Sequence, residues 1–205
     1  MSTLLKIHSS LFNGNGQSSA LAGRFAEQWQ AQNPNGQVVS RDLVEGPIPH
    51  LNLARFQALI TPPDEATEAQ REVVEYSDAL IEELNDADVI VFAIPMYNFN
   101  IPSVLQSYFD HIARAGVTFR YTENGPEGMI KGKKAYVFIT RGGFHGEEHS
   151  QTNFVRQILG FVGITDVEFI HAEGLSMGED VKAKSLANAE QRIAQVFNEP
   201  VAVSA

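Results

Sequence analysis

Residues 88–102 have the sequence Asp-Val-Ile-Val-Phe-Ala-Ile-Pro-Met-Tyr-Asn-Phe-Asn-Ile-Pro, and this stretch decides the fold. Its first half, residues 88–94, is almost continuously apolar and rich in β-branched side chains, which predicts a strand. Such an apolar strand is typical of the centre of a parallel sheet, because helices cover both of its faces there. The second half changes to prolines, aromatics and asparagines, which predicts a loop where the strand ends.

On both sides of this strand, short β-rich runs alternate with longer helical patterns. We predict strands at residues 4–8, 37–41, 88–94, 135–140 and 167–172, and helices at 18–32, within 50–85, and at 103–113, 153–162 and 179–197. Residues 117–132 are expected to form an irregular excursion. The alternation implies a parallel sheet with helices on both faces and right-handed crossovers. Five strands in 205 residues favour a single α/β domain, residues 1–205, with the flavodoxin-like strand order 2-1-3-4-5.

The composition narrows the possible functions. With 25 acidic and 15 basic residues the net charge is −10, which disfavours nucleic acid and anionic membranes as partners. The absence of cysteine excludes disulfides and thiolate metal sites, and the six histidines lack metal-ligand spacing, so no metal is expected. Any redox chemistry must therefore come from a cofactor. The N-terminus lacks a signal-peptide core and no apolar run could span a membrane, so a cytoplasmic location is expected.

The loop after the first predicted strand, residues 9–19, has the character of a phosphate site. Ligands of such sheets bind at the carboxyl ends of the strands, where the strand order reverses. This loop holds four serines and two glycines and leads directly into a helix. Hydroxyls, unpaired N–H groups and the helix dipole suit a phosphate without lysine or arginine. The alternative is that Ser18 or Ser19 only caps the helix.

The loop after the central strand, residues 95–102, has the character of a site for a flat ring. Tyr97 and Phe99 offer apolar faces, and Asn98 offers both a donor and an acceptor. The backbone N–H groups of this loop could stabilise ring atoms that gain electron density. The alternative is that its aromatic side chains merely pack against the core.

The loop after the fourth predicted strand begins Thr140-Arg141-Gly142-Gly143-Phe144-His145. Paired glycines allow a backbone to lie close to a flat ligand, although a plain turn also uses them. Arg141 could steady an anionic reduced ring or pair with a nearby acid, and the alternative is a surface ion pair. His145 is a candidate donor of a hydrogen bond or a proton.

Several long strings in the chain resemble those of one family, the FMN-dependent NADH-azoreductases within the flavodoxin-like NAD(P)H:quinone oxidoreductases. They are MYNFNIP at residues 96–102, GVTFRYTENGPEG at 116–128, RGG at 141–143 and GFVGI at 160–164. The resemblance implies tightly but non-covalently bound FMN, NADH or NADPH as hydride donor, and ping-pong reduction of quinones and azo or nitroaromatic compounds. It also implies a homodimer with active sites at the interface. A flavodoxin-type electron carrier and an NAD(P)H:flavin reductase are the alternatives.

The resemblance assigns roles to individual residues. The FMN site falls on Ser10, Gly16, Gln17, Ser18, Met96, Tyr97, Asn98, Phe99, Thr140, Arg141, Gly142 and Gly143. The substrate pocket falls on Phe99, Tyr121 and Phe161, and the catalytic roles fall on His145 and Asn98. The chain departs from the family pattern at Gly16, where a serine is common, and in the short segment 145–152.

Overall fold

A parallel sheet of five strands with helices on both faces is the framework of the computed structural model, which describes residues 2–198. The strands are β1 Thr3–His8, β2 Gln37–Asp42, β3 Val89–Pro95, β4 Phe119–Thr122, β5 Gly125–Gly128, β6 Lys134–Thr140 and β7 Asp166–Ala172. The helices are α1 Gln17–Gln32, α2 Leu53–Ile60, α3 Glu68–Asp86, α4 Ser103–Ile112, α5 Ser150–Val162 and α6 Glu179–Asn198. The large sheet has the order β2-β1-β3-β6-β7, which confirms the predicted flavodoxin-like topology. None of the helices between residues 2 and 198 is long and apolar enough to cross a membrane.

The central strand β3 separates two hydrophobic cores. Ile90, Phe92 and Ile94 belong to the core beneath α3, α4 and α5, whereas Val91 and Ala93 belong to the core beneath α1 and α6. All five side chains are fully buried, so both faces of the strand are covered. This arrangement is the reason that residues 89–94 carry no polar side chain.

The predicted excursion at 117–132 contains regular structure that the sequence analysis missed. Strands β4 and β5 form an antiparallel hairpin outside the large sheet. Its second strand lies directly against the end of α5, since a Cβ at Gly128 would be only 2.1 Å from the backbone nitrogen of Gly163. Gly163 itself has a φ of +108° and caps the helix in the left-handed conformation, which favours glycine. These two glycines therefore fix the hairpin on the body of the protein.

Two of the predicted helical regions differ from the prediction by more than one residue. The region predicted as mostly helical, 50–85, contains two helices, and the second begins at a capping box between Thr67 and Gln70. Helix α5 begins at Ser150 rather than at 153, because the His149 side chain accepts a hydrogen bond from the Gln151 backbone N–H at 3.1 Å. A histidine cap is not among the usual start signals of a helix, and the sequence analysis did not identify it.

Candidate active site

The three loops singled out in the sequence meet at one edge of the sheet. Strands β1, β3 and β6 are neighbours, and His8 pairs with Ala93 while Pro95 pairs with Thr140, so the strands end at similar heights. The Met96 N–H donates to the Thr140 carbonyl at 2.8 Å, which continues the pairing of β3 with β6 into the loops. The parallel sheet thus brings together segments that are far apart in the sequence.

The tyrosine of the second loop is tied to the first loop. The Tyr97 hydroxyl accepts a hydrogen bond from the Leu11 N–H at 3.1 Å and lies 3.5 Å from Ser10 Oγ. Beneath them, Ser9 Oγ donates to the Ala93 carbonyl at 2.8 Å. Tyr97 therefore offers more than the flat face expected from the sequence, because its phenol oxygen sets the distance between the two loops.

The start of α1 carries buried hydroxyl groups that fit a phosphate. Gly16 is the N-cap residue and makes no side-chain cap. Ser18 Oγ and Ser19 Oγ are buried, and neither has a hydrogen-bond partner within residues 2–198. Neither serine therefore caps the helix, which was the alternative interpretation of this loop. Buried hydroxyls without partners are costly, and beside a helix N-terminus an anion satisfies them.

The second loop contains a strained turn. Asn98 and Phe99 have φ angles of 49° and 65°, and Tyr97 and Asn100 exchange two backbone hydrogen bonds of 3.0 Å around them. Positive φ at both central positions is typical of a type I′ turn, in which asparagine is common but phenylalanine is strained by about 1–2 kcal/mol. Within residues 2–198 the N–H groups of Asn98 and Phe99 donate no hydrogen bond. The Phe99 side chain is 69% exposed, so it does not pack in the core.

The arginine of the third loop is buried beneath it. The Arg141 side chain is fully buried, and its Nη1 donates to Glu173 Oε1 at 2.7 Å and to the Gly146 carbonyl at 2.7 Å. Its Nε donates to Gln151 Oε1 at 3.0 Å, and its Nη2 to Thr152 Oγ1 at 2.6 Å. Four of the five guanidinium N–H groups thus have partners. Arg141 thus pairs with a nearby acid, and the alternative of a surface ion pair is excluded because the guanidinium is buried beneath the loop.

The paired glycines contact the chain's own turn at 174–176. A Cβ at Gly142 would lie 2.9 Å from Ser176 Oγ, and one at Gly143 would lie 3.3 Å from the His145 ring. The carbonyls of Arg141 and Gly142 accept hydrogen bonds of 3.1 and 3.0 Å from the N–H groups of residues 175 and 176. A side chain at 142 would therefore displace the Ser176 hydroxyl, and this packing reason for glycine is separate from the ligand approach considered in the sequence analysis.

His145 belongs to the third loop, and its ring faces the second loop. Its ring packs edge-on against the Phe99 ring, with centroids 5.9 Å apart, and against His149, with centroids 5.0 Å apart. Its backbone N–H donates to Glu173 Oε1 at 3.1 Å. Within residues 2–198 no group of three or more histidine, aspartate or glutamate side chains could hold a metal ion. The surroundings of His145, uncertain from the sequence, are thus aromatic on one side and acidic beneath the backbone.

Glu173 is a site residue that the sequence analysis missed. It accepts hydrogen bonds from Arg141 and from the backbone N–H groups of His145 and Gly146. Burial acts to raise the pKa of Glu173, but these three donors outweigh it and hold the pKa below its usual value of 4.5. The available signal was its position directly after β7, at the same carboxyl edge as the three loops.

Two of the predicted substrate residues lie apart from the third. Phe119 contacts both Tyr121 and Phe161, with ring centroids 5.6 and 4.2 Å away, whereas the ring contact of Phe99 is with His145. Tyr121 is 75% exposed and lines a groove of about 880 Å³ with Phe119, Phe56, Ile60 and Val117. A separate groove of about 720 Å³ lies beside Met96, Tyr97 and Asn98. Within residues 2–198, ring contacts therefore link Tyr121 and Phe161 to Phe119, and Phe99 to His145, but no ring contact joins these two sets.

The strand order and the three loops at its carboxyl edge define a flavodoxin-like α/β protein, and a model of the flavodoxin-like fold family matches residues 2–197. An FMN-dependent NADH:quinone oxidoreductase of Cellvibrio japonicus is 51% identical over 197 residues, which are 95% of this chain and 98% of the relative. One from Burkholderia lata is 52% identical over 196 residues, covering 95% and 99%. The crystal structure of an azoreductase from Bacillus anthracis superposes with a TM-score of 0.88 at 28% identity, covering 97% and 99%. The chain belongs to this flavodoxin-like family of FMN-dependent NADH:quinone oxidoreductases and azoreductases.

Proposed function

We propose that the protein is an FMN-dependent NADH:quinone oxidoreductase that also cleaves azo compounds. Relatives that are about half identical over nearly the full chain carry the first activity in their names, and a solved structural neighbour is an azoreductase. The observation that carries the proposal is that the loops after β1, β3 and β6 meet at the carboxyl edge of the sheet. Two buried hydroxyls at the start of α1 share that edge with a strained turn, and neither these hydroxyls nor the two N–H groups of the turn have a partner within residues 2–198.

The three loops divide the work of holding FMN between them. Ser10 and residues 16–18 hold the phosphate, residues 96–99 flank the ring, and residues 140–143 close the site from the third side. The fit for the phosphate rests on the buried Ser18 hydroxyl at a helix N-terminus, which has no partner within residues 2–198, and the neighbouring Ser19 hydroxyl shares this property. The fit for the ring rests on the exposed turn, because N–H groups that are fixed in advance stabilise developing negative charge without reorganisation.

FMN held by these loops would supply the two-electron transfer chemistry by which NADH, a proton and a quinone yield NAD⁺ and a hydroquinone. The N–H groups of Asn98 and Phe99 orient the ring and stabilise its negative charge. The Phe99 face excludes water and stacks on flat substrates. His145, which contacts that face, holds the proton that the product oxygen or nitrogen takes up.

The active form is a homodimer with both sites at the interface. Tyr121 and Phe161 both contact Phe119, whereas Phe99 contacts His145, and no ring contact within residues 2–198 joins the two sets. A second copy of the chain brings them together in one pocket. The Tyr121 groove is bordered by exposed apolar side chains of α2, including Phe56 and Ile60, and an apolar patch of this kind favours burial against another chain. The reaction draws on NADH, and the protein accordingly acts in the cytoplasm on small quinone, azo and nitroaromatic acceptors.

The test is NADH oxidation by the purified yellow protein with menadione, and then with an azo dye, at several protein concentrations. We expect turnover well above that of free FMN, parallel lines in a double-reciprocal plot, and loss of activity on dilution below the dimer dissociation constant. Turnover no faster than that of free FMN would contradict the enzymatic activity and would favour a flavodoxin-type electron carrier. Release of FMN during turnover would indicate a flavin reductase, and full activity as a monomer would contradict the shared site. Parallel assays with NADPH determine the preferred donor.

A further inference from the structure

A buried row of polar side chains runs beneath the second and third loops. Glu173, Arg141 and Gln151 are joined in that order by hydrogen bonds of 2.7 and 3.0 Å. Arg141 and Gln151 are almost completely buried, and the charge of Arg141 is balanced by Glu173. A buried ion pair needs further hydrogen bonds to offset its desolvation, and Gln151 supplies one of them.

Gln151 also reaches across to the second loop. Its Nε2 lies 3.3 Å from the Pro95 carbonyl and 3.5 Å from the Asn100 carbonyl. Its orientation is determined by its partners, since the oxygen faces the Arg141 donor and the nitrogen faces two carbonyl acceptors. Gln151 belongs to the first turn of α5 and to neither loop. One side chain thus connects the base of the strained turn to the buried ion pair under the glycine loop.

The carbonyls that Gln151 binds bracket the turn of Asn98 and Phe99. The Pro95 carbonyl ends β3 just before it, and the Asn100 carbonyl accepts the Tyr97 N–H that closes it. A turn with two non-glycine residues at positive φ persists only where its surroundings fix it. The donors of Gln151 are part of those surroundings, and they act from the side on which Arg141 fixes residues 140–146.

We propose that Gln151 is a positioning residue for the flavin, which sets the turn at 97–100 in register with the loop at 140–146. This inference rests on the proposed function, because it assumes that the two loops hold one ring. Gln151 touches neither the ring nor the substrate in this role. It fixes the distance between the N–H groups of Asn98 and Phe99 and the opposite wall of the site.

The experiment compares two changes at Gln151 with a matched change of its neighbour. Gln151→Met removes both links at nearly constant volume. Gln151→Glu keeps the acceptor for Arg141 but replaces the donor to Pro95 and Asn100 by an oxygen. Thr152→Val is the control, since Thr152 is buried and accepts from Arg141 like Gln151 but makes no hydrogen bond to residues 95–102. Gln157→Glu, at an exposed position of the same helix, controls for added charge.

The readouts are the FMN dissociation constant, the midpoint potential of the bound flavin and the melting temperature of the FMN-loaded full chain. We expect both Gln151 variants to weaken FMN binding about tenfold, equivalent to about 1.4 kcal/mol, and to shift the potential. Thr152→Val should lower the melting temperature about as much as the Gln151 variants do. It should leave the FMN dissociation constant and the midpoint potential unchanged. The neutral methionine variant separates lost positioning from an added charge.

Three outcomes overturn the inference. Gln151 variants that bind FMN with wild-type affinity and potential would show that the link has no effect on the ring. Equal losses in Thr152→Val would show that the cluster only stabilises the fold. A wild-type chain that binds no FMN would overturn this inference and the proposed function together, whereas the first two results leave the proposed function standing.

Discussion

The second and third loops face the same site but obtain their shapes in opposite ways. The turn at 97–100 is exposed and strained, with Asn98 and Phe99 both at positive φ. The loop at 140–146 has a buried ion pair beneath it, and Arg141 alone makes four side-chain hydrogen bonds there. The turn at 97–100 presents N–H groups to a ligand. The loop at 140–146 provides the rigid support that fixes the positions of these groups. A preorganised site needs both, because exposed donors are useful only when their positions are fixed.

The largest expected effect comes from breaking the support of the third loop. Arg141→Met leaves the carboxylate of Glu173 without its charged partner in a largely buried position. Removing one member of such a pair costs about 3–5 kcal/mol, and the partial exposure of Glu173 favours the lower figure. Urea denaturation measures the free energy of unfolding. Arg120→Met is the control, since the Arg120–Glu127 pair is exposed and should contribute less than about 1 kcal/mol. Equal losses in the two variants would contradict a supporting role for Arg141.

A second change separates internal packing from ligand approach at Gly142. Gly142→Val places methyl groups against Ser176, whose Oγ would be 2.9 Å from the new Cβ, and overpacking of this kind costs about 1–3 kcal/mol. We expect a folded protein that purifies with little FMN, judged by its absorbance at the flavin band. Adding Ser176→Gly should restore the colour if packing is the cause. A double variant that stays colourless would show instead that the side chain blocks the ligand itself.

A third change measures the strain of the second loop. Phe99→Gly and Phe99→Ala both remove the same largely exposed ring, but only glycine adopts a φ of 65° without steric conflict. The glycine variant should therefore have a free energy of unfolding about 1 kcal/mol higher than that of the alanine variant, as measured by urea denaturation. Both variants should raise the KM for quinones, because the apolar face is lost. If the alanine variant is as stable as the glycine variant, the turn is not strained. The second and third loops would then not differ in the way proposed above.

The sequence was sufficient for the topology and for the three loops, because a parallel sheet with alternating helices has few possible arrangements. It was not sufficient for the contacts between the loops. Gln151 and Glu173 are ordinary polar residues in the sequence, and their importance depends on which carbonyls and charges the fold brings beside them. The hairpin of β4 and β5 was missed although Asn124-Gly125 is a local turn signal, and Gly125 has a φ of +106° at that turn. What the sequence does not show is the contact of Gly128 with the end of α5. Long-range contacts decided the roles of Gln151, Glu173 and Gly128.

The smallest expected effect concerns the cap of α5, the helix from which Gln151 reaches both loops. His149 Nδ1 accepts the Gln151 backbone N–H, and this requires the unprotonated ring. Burial, together with the nearby charges of Arg141 and His145, lowers the pKa of His149 below its usual 6.5. A lowered pKa in the folded state means that the stabilising contribution is complete above pH 6.5 and is lost as the pH falls through the folded value.

Replacing His149 should therefore matter only on the alkaline side of that transition. His149→Ala removes the cap and should cost about 0.5–1 kcal/mol at pH 8, with a smaller difference from wild type at pH 5. His149→Asn keeps a cap that does not titrate and should remove the pH dependence between those values. Melting temperatures of the three proteins across this range measure the effect. If the start of α5 positions Gln151, FMN binding should weaken in the same variants and at the same pH values at which the melting temperature falls. A His149→Ala penalty that is equal at both pH values would mean that the ring does not act as a cap, and the third loop would then owe its shape to Arg141 and Glu173 alone.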